Sequence, residues 1–90
     1  MKTIYKYPLQ VDDVQMVRMP QGATILDVQV QHGQPCVWAL VDPARPLQDR
    51  VFCMFGTGHE VPTEDVVLVH LSTIQLSGGG LVFHVFEQMP

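Results

Sequence analysis

Charge is scarce in this chain. Charged residues make up 16% of its 90 residues, against roughly 25% in typical soluble domains. The basic residues are five, Lys2, Lys6, Arg18, Arg45 and Arg50, and they are scattered. No stripe of positive charge forms, so binding of duplex nucleic acid through phosphates is not expected. Long apolar runs are also missing. Nothing approaches the ~18 consecutive apolar residues of a membrane span, so no membrane partner is expected. The start, MKTIYKYPLQ, lacks the apolar core of a signal peptide, and the expected location is cytoplasmic. Cysteine occurs twice, at Cys36 and Cys53. Both sit in apolar alternating segments and read as reduced thiols acting as small core residues. Repeats, low-complexity linkers and helical periodicity are absent as well.

What is present is apolar and β-branched. Hydrophobic residues reach 47%, enough for one core, and the length suits a single domain over residues 1–90. A chain this short buries a modest share of its surface. With little charge to cover the remainder, it is expected to be a homo-oligomer, a dimer or larger, with two-fold symmetry the commonest solution.

Alternation places the strands. Thr3–Tyr7 reads as the first, ended by Pro8, and Val14–Met19 as the second. In ATILDVQVQH, Leu26, Val28 and Val30 share one face, and Asp27, Gln29 and Gln31 the other. His32–Pro35 reads as a turn. Cys36–Val41 returns with apolar residues on both faces. Asp42–Asp49 is a proline-rich excursion, Arg50–Phe55 a further strand, and Gly56–Asp65 a loop. VVLVHLSTIQL and LVFHVFE close the chain. The expected fold is all-β or β-dominated: a small antiparallel sandwich or open barrel of about six strands.

Three glycines, Gly78–Gly80, interrupt the last apolar stretch. A phosphate-binding glycine loop needs a helix after it, whose N-terminus supplies amides and dipole. LVFHVFE is too short and too β-branched to be that helix. The glycines therefore read as a hairpin turn with positive φ angles.

FGTGHE is the loop with chemical content. The plain reading is a connection with glycines at turn positions. The chemical reading is an anion-binding nest. Gly56 and Gly58 free backbone amides, Thr57 adds a hydroxyl and His59 an imidazole. Arg50 is the expected charge partner for a bound phosphate, with Arg45 as second choice. A thiol nucleophile would pair Cys53 with His59, but no third group orients the base. A zinc site would require His32, Cys36, Cys53 and His59 to converge without any short-spaced ligand pair. No metal, cofactor or catalytic residue is therefore expected. Trp38 reads as a core plug, the alternative being a platform for stacking a base.

Several segments together resemble a family of small proteins encoded by tailed phages and prophages. They are KTIYKYPL, VQVQHGQPCVWALVDP, GTGH and LSTIQLSGGGLVFHVFE, and they span nearly the whole chain. The resemblance implies a phage accessory protein in an infected host cell, and carries no catalytic residues with it. The expected function is binding without chemistry: antagonism of host defence, by sequestering a nucleotide-type anionic small molecule or by occluding a host protein. The alternative is a structural or virion-accessory interaction module. A small hydrolase using His59 is the third.

Overall fold

A computed structural model describes residues 1–90. Seven strands follow in order: β1 (Thr3–Pro8), β2 (Val14–Pro20), β3 (Thr24–Gln31), β4 (Gln34–Val41), β5 (Leu47–Gly56), β6 (Val67–Leu76) and β7 (Leu81–Met89). All pairings are antiparallel. One sheet has the order β1-β4-β3, the other β2-β5-β7-β6. The fold is thus all-β, two antiparallel sheets, as the alternation requires.

All seven segments that alternation marks out form strands, one more than the approximate six expected of the fold, and β5 is longer than expected. Leu47, Gln48 and Asp49 pair with Pro20, Met19 and Arg18. They belong to β5 rather than to the proline-rich excursion. Polar side chains on an edge-paired segment hid it from a hydrophobic pattern. β4 likewise begins at Gln34, because the turn is only His32-Gly33. Both have positive φ, 51° and 77°, which a two-residue hairpin of the I′ type demands.

The two sheets enclose one core. Val28, Val37, Ala39 and Val41 come from the three-stranded sheet. Met19, Phe52, Met54, Ile74 and Val85 come from the four-stranded one. Leu9 and Ala23 plug it from connections. Trp38 is not in it. Val37, Ala39 and Val41 take the inner face, so alternation sends Trp38 and Leu40 to the outside of the sheet. There they lie half-buried beside Lys6 and Ile4 of β1. The expectation of a core tryptophan is corrected by the parity of its own strand.

One polar clamp sits among these apolar residues. Arg50 on β5 points inward, and its Nε and Nη2 donate to the Glu87 carboxylate on β7. Its Nη1 donates to the Ala23 carbonyl at 2.8 Å, just before β3. The side chains are 15% and 7% exposed. Two neighbouring strands of one sheet are thereby tied to the start of a strand in the other.

The triple glycine closes the β6–β7 hairpin. Ser77, Gly78 and Gly79 have φ of 52°, 65° and 95°, and the Gly80 amide donates to the Ser77 carbonyl at 3.1 Å. No helix follows. Replacing Gly79 by valine puts a β-branched side chain at φ 95°, and should cost about 1–2 kcal/mol in urea unfolding. An unchanged midpoint would mean that the hairpin relaxes at no cost.

Candidate functional site

Arg50 and the loop Gly56–His59 were expected to meet. They lie on the same strand, six residues apart, which is about 20 Å at ~3.3 Å per residue. Arg50 is moreover engaged, with a carboxylate neutralising it and a carbonyl taking a third donor. An open groove of ≈ 410 Å³ passes it, lined also by Gly22, Asp49 and Glu87. A phosphate there would have to displace Glu87 from a pair that is largely out of water. The structure therefore does not bring Arg50 to the loop, and its role is that of a clamp. Arg45 donates to Gln21 at 3.4 Å on the exposed surface.

The loop itself is a tight turn. The His59 amide donates to the Gly56 carbonyl at 3.0 Å, and Gly58 takes φ 87°, as the third position of a type II turn requires. That bond uses one of the amides a nest would need. The two side chains then part. Gly56 follows Phe52 and Met54 on the core-facing side of β5, and the His59 ring folds over it. A Cβ at Gly56 would meet that ring at 3.0 Å. A side chain there would make the exposed imidazole shift. Gly56, Thr57 and His59 line an open groove of ≈ 430 Å³ with Gly80, Leu81, Val82 and Phe83. Gly58 does not line it.

Thr57 turns the other way, to the outer face of the four-stranded sheet. Its hydroxyl lies 2.8 Å from His84 Nε2. The other ring nitrogen of His84 lies 3.0 Å from the Thr73 hydroxyl, which is 3.3 Å from His70 Nε2. A neutral imidazole donates from one nitrogen and accepts at the other, so Thr57 and Thr73 take opposite roles toward a neutral His84. The row depends on an irregularity. The pairing of β6 with β7 shifts register between His70 and Ser72, and this bulge at Leu71 puts His70 and Thr73 on one face. Strict alternation would have set them on opposite faces. From the sequence, His70 and His84 read only as lone strand histidines, each half-buried with one hydrogen bond; Thr73 carried no expectation, and the spacing held no signal of the bulge that joins them.

Apolar side chains continue this outer face. Phe86 packs edge-on against Phe55 at 5.7 Å and against His70 at 5.1 Å. Cys53 pairs across to both Val14 and Phe86, and Val51 to Met16. Val14 and Met16 on the edge strand are 56% and 68% exposed. The face carries two charges, Arg18 and Asp49, 3.6 Å apart and both well exposed. It therefore has no net charge, on a chain of formal charge −4.

Nucleophilic chemistry finds no support in this geometry. Cys53 faces outward and His59 lies on the core side of the sheet. The polar neighbour of Cys53 is Gln88, 3.8 Å from its sulfur, and burial raises the thiol's pKa. Both cysteines are free and buried. Each should resist an aromatic disulfide reagent at neutral pH in the folded protein and react on denaturation. Fast reaction of Cys53 in the native state would contradict this. Arg50→Ala should destabilise by about 3–5 kcal/mol, because it leaves a buried carboxylate unpaired. His59→Ala, by contrast, should stay within about 0.5 kcal/mol. Parallel denaturant curves decide both.

Comparison with curated proteins and with solved structures finds no match. Over its full length, residues 1–90, the chain matches the family described as a domain of unknown function, DUF7352, and it belongs to that family.

Proposed function

We propose that this is a binding protein without chemistry, whose working surface is the outer face of the four-stranded sheet and whose partner is a protein. The observation that supports it is the composition of that face. Exposed Val14 and Met16, with Val51, Phe55, Phe86 and His70, form an apolar and aromatic centre with balanced charge. Aromatic residues and methionine, with few charges, are what the centres of protein interfaces contain. The likeness of KTIYKYPL, PCVWALVDP and SGGGLVFHVFE to tailed-phage proteins adds a setting. In it, the protein occludes a host defence component during infection. A role inside the phage particle would use the same face, with a phage protein as partner.

A second reading has its own observation. Gly56, Thr57 and His59 share one groove with Gly80–Phe83, which offers an imidazole and a hydroxyl to an anionic, nucleotide-type ligand. Its recognition would not involve Arg50.

Phage plating on defence-proficient bacteria that express the protein separates the two readings. Wild type should restore plating. Met16→Lys should abolish the effect, and His59→Ala should leave it intact. The reverse pattern would transfer the function to the groove. Calorimetry should then find cyclic or ADP-ribose-type nucleotides binding to wild type and not to His59→Ala, with the ligand recovered intact. Plating unaffected by the wild-type protein would end the anti-defence reading.

A further inference from the structure

The outer face of the four-stranded sheet leaves Val14 and Met16 more than half exposed, and none of the seven strands packs over it. We infer that in the free protein a second copy of this chain covers it, face against face, in a two-fold dimer. The inference rests on the reading of this face as the working surface.

Three observations select a copy over another occupant. The first is charge. The face holds one arginine and one aspartate, so the −4 of the chain resides elsewhere. An acidic or basic partner would find no field to match. A copy brings the same neutral surface, and its Arg18 and Asp49 can meet their opposites across the two-fold. The second is area. Strands of 7, 10, 9 and 10 residues make up the sheet. At ~4.8 Å between strands and ~3.3 Å per residue, the face spans about 600 Å². Two copies would bury about 1,200 Å² in total, the lower end of the range for specific interfaces. The third is shape. The molecule is a slab of 40 × 35 × 16 Å, so a broad sheet surface is available for stacking. Two sheets pack about 10 Å apart when side chains interdigitate, as they do within sandwiches. Cys53 and Phe86, on the two central strands, would lie nearest the axis.

The face also explains why β2 can stay an edge strand. Its outward Val14 and Met16 would be covered by the partner, and the charge of Arg18 on this edge discourages pairing with a further strand. The dimer is then the resting form, and a protein target must compete with it for the same surface.

Sedimentation equilibrium tests this from about 1 to 100 µM, the range expected of an interface this size. Wild type should approach twice 10.1 kDa. Met16→Lys should weaken the dimer at least tenfold. Met16 is 68% exposed and lysine suits an edge strand, so the monomer should keep its circular dichroism. Val51→Lys, its cross-strand neighbour, guards against a local failure to fold. Ile4→Lys, on the outside of the other sheet, should leave association unchanged. A wild-type monomer at the highest concentration would overturn the proposal. So would a dimer that survives both sheet variants, or one that only Ile4→Lys breaks. A dimer broken by Met16→Lys in a protein that never restores phage plating would keep this interface and end the functional reading. Restored plating from a strict monomer would do the opposite.

Discussion

A β-strand has two faces, and ninety residues in seven strands supply one interlayer. That constraint runs through the whole molecule. Only 16 of the 90 residues are buried, and 11 of them form the cluster between the two sheets. Every second residue on each strand is sent outward whatever its chemistry. In a chain with this little charge, many of those residues are apolar. The outward set of the four-stranded sheet is the result: Val14, Met16, Val51, Cys53, Phe55 and Phe86 on one surface. Burial of apolar area is the main force behind folding. The same force acts on what folding leaves exposed.

The clamp of Arg50 answers a different need. The inner face near Gly22 and Ala23 is a corner where the chain passes from one sheet to the other. A charged pair there must satisfy its hydrogen bonds, and it does so with a carboxylate and a backbone carbonyl. Buried ion pairs add little net stability against a well-packed apolar substitute. Their loss on one side is costly, because the remaining charge is stranded. The pair therefore acts as a lock on geometry, joining β5 and β7 to the entrance of β3.

The turn after β5 shows how a glycine pattern can hold chemistry without forming one site. His59 and Thr57 are two residues apart and leave the strand on opposite sides of the sheet. His59 becomes the rim of an end groove. Thr57 becomes the first member of a hydroxyl–imidazole row that crosses β7 to β6. That row meets the aromatic cluster of Phe55, Phe86 and His70. The outer face thus combines apolar area with oriented polar groups that hold one another in place. Such a surface can present a fixed pattern to a partner, in keeping with the interaction role proposed for it.

Alternation and turn residues in the sequence were sufficient for the all-β class, most strand positions, the hairpin at Gly78–Gly80 and the excess of apolar surface. These are local properties: side-chain period, positive φ and composition act over a few residues. The extra length of β5 was not legible, because Gln48 and Asp49 are stabilised by pairing with β2 rather than by burial. Trp38 lay outside the core because the parity of β4 depends on which face meets the other sheet. Arg50 and Glu87 are 37 residues apart, and only the neighbouring of β5 and β7 joins them. The row through His70, Thr73 and His84 needed a bulge that shifts parity by one residue. Contacts between distant segments, and the two breaks in strand alternation at Leu26 and Leu71, are decided by the packed whole, because their energies exist only once the strands have found each other.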